Sequence, residues 1–254
     1  MTISDCCLKG FEWEGTPTGT DGKLGANDAY ITKGGTTNPD PNAAILLIHD
    51  LYGWRFPNVR LLADHWAREL GVTVYVPDFF GGEAVDLRLV EENRWPEIMP
   101  FINKNTREIR EPEIFACARA LRQTYKKVGA AGYCYGGWAC FRLAAKEHDP
   151  PLVDCISVGH PSLLTRDDID GVAGAAVPIQ VLAPEQDHAF PPELKLHTFQ
   201  KLQELGAPFD YQHFPGVEHA CFIRGDTQKP GERAAMARGK NAAADWFRQW
   251  LLDA

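Results

Sequence analysis

The sequence predicts an α/β fold, a mostly parallel sheet with helices on both faces. Three observations carry that expectation. Apolar runs such as "AAILLIHD" (43–50) and "VTVYVPD" (72–78) are continuous rather than alternating, as in strands buried on both faces. Segments with apolar residues at helical spacing lie between such runs, so strand and helix alternate along the chain. The stretch "AGYCYGGWA" (131–139) has the form Gly-x-nucleophile-x-Gly-Gly, in which a strand turns sharply into a helix and lifts one side chain above the sheet.

The elements come in order. Residues 1–27, rich in Gly, Thr and Asp, read as an irregular lead-in, and "DAYITKG" as an edge strand. After the strand at 43–50, Val59, Leu62, Ala63, Trp66 and Leu70 form one apolar face of a helix that Gly71 ends. The strand at 72–78 leads into an irregular excursion with some helix over 79–111. "EPEIFACARALRQTY" predicts a helix with Pro112 near its start. "KKVGAAGYC" feeds the elbow, and a helix leaves it at Gly136. Strands are expected at "LVDCISVGH", "PIQVLAPEQD" and "PFDYQHFPG". A helix ending at Gly206 precedes the last of these, and a long helix over 231–252 closes the chain. With no internal repeat and no linker, one domain over 1–254 is expected.

Composition narrows the function. Of 254 residues, 44% are hydrophobic, enough for a large core. The net charge of −8 comes without a basic run, which argues against nucleic acid and against an anionic membrane surface as partners. No stretch approaches a membrane span, and the N-terminus has no apolar signal-peptide core. The seven cysteines form no Cys-x-x-Cys pair, so neither a metal nor a cofactor is expected, and free thiols suit a cytoplasmic location. The partner expected is a small molecule; nothing selects between a monomer and a homodimer.

A cysteine nucleophile needs a base and donors for an oxyanion. Elbow hydrolases order their residues as nucleophile, acid, histidine. Cys134 is followed by Asp187, 53 residues on and just past a strand, and by His219, 32 residues further, just past the last strand. The C-terminal ends of parallel strands share one sheet edge, so the three can converge. Cys134 would attack, His219 move the proton and Asp187 orient the imidazole. Glu185 competes with Asp187 for its role, and Glu218 neighbours His219. His148, His160, His197 and His213 read as ordinary surface or core histidines.

"GYCYGG", "LLIHDLYGW", "VYVPDFFGG", "APEQD" and "FPGVEHACFIRGD" together resemble the dienelactone hydrolase family, closest to its eukaryotic, carboxymethylenebutenolidase-like branch. The resemblance spans about residues 43–226. It implies an α/β-hydrolase fold and cleavage of lactones or activated esters by Cys134, Asp187 and His219. It also implies that Asp50 activates the thiol and that the backbone N–H groups of Leu51 and Tyr135 form the oxyanion hole. Asp50 read on its own is a cap on the following loop. Arg224 lies near the position of a substrate-binding arginine, although a solvated loop arginine fits it equally. Bacterial members carry a further arginine shortly after "VPDFF", where this chain has Gly81, Gly82 and Glu83. Cys221 stands where an aromatic is usual, and a reshaped pocket is expected. Two other readings compete. One is a glyoxalase- or deglycase-like elbow cysteine, disfavoured by the late Asp-then-His order. The other is a non-catalytic or redox-sensing protein on a hydrolase scaffold.

Overall fold

The computed structural model describes residues 12–35, 40–86, 88–89, 92 and 94–253. Among these, eight strands form one sheet: β1 (Thr20–Leu24), β2 (Asn27–Thr32), β3 (Ala43–Ile48), β4 (Thr73–Pro77), β5 (Lys127–Tyr133), β6 (Cys155–Gly159), β7 (Ile179–Gln186) and β8 (Phe209–Glu218). Their order across the sheet is β1-β2-β4-β3-β5-β6-β7-β8. The six strands from β4 to β8 run parallel, and β1 and β2 are antiparallel additions at one edge. The helices are α1 (Pro57–Leu70), α2 (Trp95–Lys104), α3 (Arg107–Thr124), α4 (Gly136–Leu143), α5 (Arg166–Asp170), α6 (Pro192–Glu204), α7 (Cys221–Arg224) and α8 (Pro230–Phe247), the last extended by a π-helical turn over Arg248–Leu252.

The core has two layers, one on each face of the sheet. Ala44, Leu46 and Ile48 of β3 point to the layer shared with Ile114, Trp138 and Leu202 of α3, α4 and α6. Ala43, Ile45 and Leu47 point to the layer shared with Leu62, Trp66 and Phe247 of α1 and α8. The two-residue period of the strand thus feeds both layers, which is why the run is apolar at every position.

Two expectations are corrected. β2, the "DAYITKG" strand, is not at the edge, because β1 pairs outside it through Leu24↔Asn27 and a tight turn at Gly25, φ 60°. Four of the five β1 residues are exposed, so no apolar pattern marks it within the lead-in. α3 begins at Arg107 and carries Pro112 inside, rather than starting beside it. The excursion holds some helix, as expected: the ten-residue α2, with Pro at its start. No helix among the described residues is long and apolar enough to cross a membrane. Cys6 and Cys7 lie outside the described residues.

Register sets the site. Ile48 pairs with Gly132, Gly132 with Val158, and Gly159 with Leu182, so the exits of β3, β5 and β6 are level and Leu182 of β7 lies on the same line. β7 and β8 run on past that line, with a register shift between Pro184 and Gln186, and remain paired to Glu218. Such an irregularity bends the strand pair and re-aims the residues beyond it.

Candidate active site

Cys134 occupies the junction between β5 and α4 with φ 51°, a left-handed conformation that costs a non-glycine residue of the order of 1–2 kcal/mol. The tight turn leaves no room around it. A Cβ on Gly132 would lie 2.2 Å from the carbonyl oxygen of Gly136, and one on Gly137 would lie 2.5 Å from Pro161. The glycines of the motif are therefore required by close approach. Tyr135 caps α4, so its N–H belongs to the donors that have no partner within the helix. Its ring packs edge-on to Phe80 and Trp138, and its hydroxyl donates to the Asn105 carbonyl at 2.9 Å.

Asp187 and His219 meet at the end of the β7–β8 extension. His219 Nδ1 donates to Asp187 Oδ1 at 2.8 Å, with both side chains fully buried. The same oxygen accepts the N–H groups of Ala189 at 2.9 Å and Phe190 at 3.0 Å. The carboxylate is thus fixed before the histidine reaches it. With the Nδ1 proton directed at Asp187, a neutral His219 presents an unprotonated Nε2. Glu185 does not compete: it is exposed and accepts the Gly216 N–H at 2.6 Å. Glu218 is likewise exposed.

Sequence reasoning misses Ser162. Its hydroxyl lies 3.3 Å from Cys134 Sγ and 3.4 Å from His219 Nε2. It also misses the placement of His160, which reads in sequence as an ordinary histidine. This ring is fully buried, lies 4.8 Å from the His219 ring and stacks on Phe222. Its Nδ1 accepts the Cys134 N–H at 3.2 Å. Burial, with His219 and Arg224 nearby, pushes its pKa well below the ordinary histidine value, so it stays neutral. The signal in the sequence is position alone: "HPS" comes directly after β6, whose neighbours β5 and β7 each carry a site residue at their exits.

Asp50 comes after β3 and does two things at once. Its Oδ1 accepts the Tyr52 N–H at 2.9 Å, the loop cap read from sequence. Its Oδ2 lies 2.7 Å from Nε of Arg224. Both side chains are buried, so Arg224 is not a solvated loop arginine. The guanidinium also sits 4.6 Å from the centre of the Tyr52 ring. It arrives there because Ala220, with φ 74°, turns the chain into the short α7 directly after His219. His49 donates from Nδ1 to the Asp50 carbonyl at 2.8 Å and accepts the Phe79 N–H at Nε2, 3.2 Å, which ties the exits of β3 and β4 together. Leu51 is buried beside them, and its carbonyl accepts the Val85 N–H at 3.0 Å.

Two departures from the resemblance acquire a structural form. Glu83, near the place of the missing arginine, is exposed and paired with Lys104 at 3.1 Å. Cys221 is buried in the layer with α1 and α8, and burial and the nearby carboxylates raise its thiol pKa well above the ordinary value. Burial also raises Cys140 and Cys155, and pushes Cys117 up to about 12. These four thiols are held in the unreactive form. Among the described residues, no group of three or more His, Cys, Asp and Glu side chains could hold a metal ion.

Comparison with known proteins places the chain in a family. The sequence profile of the dienelactone hydrolase family matches residues 28–251. The chain belongs to that family. It is a carboxylic ester hydrolase with an α/β-hydrolase fold. It is 30% identical over 262 residues to the hydrolase tropI of Talaromyces stipitatus, covering 100% of this chain and 98% of that protein. It is 34% identical over 228 residues to the human carboxymethylenebutenolidase homolog, covering 88% of this chain and 87% of the relative. The crystal structure of a dienelactone hydrolase from Anabaena variabilis shares the fold at a TM-score of 0.63 and 15% identity, over 92% of this chain and 97% of that one.

Proposed function

We propose that this family member cleaves lactones or activated (enol or aryl) esters through Cys134, with His219 as general base and Asp187 as its orienting acid. The observation that carries the reading is the pairing of His219 and Asp187 at 2.8 Å beside a cysteine held in a left-handed elbow. Thiolate attack on the carbonyl would form a tetrahedral intermediate whose oxyanion faces the N–H groups of Leu51 and Tyr135. His219 would then protonate the leaving oxygen and activate the water that releases the acid. A thiolate is also a good leaving group, so an amide adduct would expel it again. An enol ester or strained lactone releases a stabilised oxyanion instead, and the reaction runs forward.

Asp50 and Arg224 fit a substrate-triggered step. In the resting pair the carboxylate is neutralised by the guanidinium; a substrate carboxylate competing for Arg224 would free Asp50 to accept the thiol proton in place of His219, and a stabilised leaving oxyanion would then depart without a proton from His219. Near the place of a further arginine stands Glu83, paired with Lys104, so Arg224 is the buried cation that an anionic substrate would engage. The test is hydrolysis of p-nitrophenyl acetate by wild type and Cys134→Ala. Essentially complete loss with an unchanged circular dichroism spectrum is expected. A wild-type rate in Cys134→Ala sinks the reading.

A further inference from the structure

The segment after β6 is fastened to the elbow residue at both ends of its peptide unit. The Cys134 N–H donates to the Gly159 carbonyl at 3.2 Å and to His160 Nδ1 at the same distance. The Cys134 carbonyl accepts the Ser162 N–H at 2.8 Å. Two residues of this segment, His160 at φ 37° and Leu163 at φ 60°, hold left-handed conformations without being glycine. Each is costly, and such conformations persist only where the surroundings enforce them. Here they bracket Ser162 and point its hydroxyl into the gap between Cys134 Sγ and His219 Nε2. A serine serving only the turn would need its N–H, which already has a partner; the placement of Oγ against both reacting groups is left over by that account.

We infer that Ser162 is a further catalytic residue, whose hydroxyl bridges the nucleophile and the base. This rests on the reading of Cys134 as nucleophile. With a neutral ester, which leaves Asp50 paired with Arg224, the unprotonated Nε2 of neutral His219 accepts the Ser162 proton while Ser162 Oγ accepts the thiol proton. The S–H bond of Cys134 and the O–H bond of Ser162 break; a new O–H bond on Ser162 and an N–H bond on His219 form. The products are a thiolate and an imidazolium, with the serine regenerated. The renewed hydroxyl then donates to the thiolate and stabilises it, as a hydrogen bond to the charged form does. Resting separations of 3.3 and 3.4 Å are long, as such contacts often are before substrate closes the site.

The experiment compares wild type, Ser162→Ala, Ser162→Thr and Cys134→Ala. It reads kcat and KM for p-nitrophenyl acetate, and the pH dependence of iodoacetamide alkylation at Cys134 by peptide mass spectrometry. Ser162→Ala should lower kcat on the order of 10²-fold with KM little changed. Its alkylation curve should move to higher pH, and Ser162→Thr should restore most of both. The bridge is overturned if Ser162→Ala keeps kcat within about twofold of wild type. It is also overturned if kcat falls while the alkylation curve stays in place, because a merely structural serine would behave that way. In either case Cys134→Ala remains inactive. Activity in Cys134→Ala would instead overturn the nucleophile assignment on which the bridge depends.

Discussion

One sheet edge carries two sets of polar side chains, and they are held by different means. After β5, β6, β7 and β8 the backbone does the placing. Cys134 is set by its own φ and by hydrogen bonds at its N–H and C=O, and Asp187 by the N–H groups of Ala189 and Phe190. After β3 and β4, side chains hold one another. Asp50 is balanced by Arg224 from α7, and His49 spans the Asp50 carbonyl and the Phe79 N–H. Removing a side chain from the first set leaves its frame standing. Removing one from the second strands a buried charge or an unpaired backbone group. Activity and stability should therefore separate along this edge.

The largest expected effect is on activity in the first set. His219→Ala should lower kcat/KM for an aryl ester by at least about 10³-fold. Its unfolding free energy should fall by no more than about 2 kcal/mol, since Asp187 keeps both backbone donors. Glu185→Ala, two residues from Asp187 yet exposed, should change neither quantity measurably. Steady-state kinetics and urea unfolding on the same preparations check both. A His219→Ala enzyme within tenfold of wild type would mean that the chemistry does not belong to this half of the edge.

The second effect reverses the pattern. Arg224→Ala leaves Asp50 buried without its counter-charge and should cost about 3–5 kcal/mol of unfolding free energy. Pairing it with Asp50→Asn removes the stranded charge and should recover much of that loss. A urea midpoint for Arg224→Ala equal to that of wild type would show that the pair contributes nothing to the fold, and the contrast between the two halves would fail.

The same contrast explains what the sequence discloses. Cys134, Asp187 and His219 are legible because each sits at the exit of an expected strand, with a long apolar run before the first two, and Gly132 of the elbow is forced by a contact close by in the chain, with Gly136. The parallel sheet is legible for the same reason: β3 and β5 are apolar at nearly every position. β1 is not, being polar and exposed on four of five residues. Nor is Ser162, whose placement between Cys134 and His219 depends on the level register of β5 with β6 and on positive φ angles at His160 and Leu163, neither of which leaves a residue signature. Asp50 is readable as a loop cap, but its pairing with Arg224 joins positions 174 residues apart in the chain, and only packing brings them together.

The smallest expected effect sharpens the comparison through pH. Each half contains a fully buried histidine whose pKa burial lowers: His49 beside Asp50, Asp78 and Arg110, and His160 beside His219 and Arg224. Burial lowers both pKa values, that of His160 much further, and the two nearby carboxylates partly offset the shift at His49. An unfolded chain protonates its histidines near pH 6.5. Below that pH the unfolded state binds protons that the native state refuses, so stability falls as the pH drops. It is recovered in full above that range. Each histidine contributes a slope of up to about 1.4 kcal/mol per pH unit between pH 6.5 and its own native pKa. Both windows open below pH 6.5, and that of His160 extends to lower pH. Half-exposed His65, also lowered, adds a weaker term of the same sign. Urea midpoints from pH 8 to pH 5 should therefore be flat at first and then decline. Both His49→Gln and His160→Gln should flatten the decline below pH 6.5, with His160→Gln acting further toward low pH. Equal flattening by both would mean that the two halves exclude water equally, and that the carboxylates near His49 do not moderate its environment.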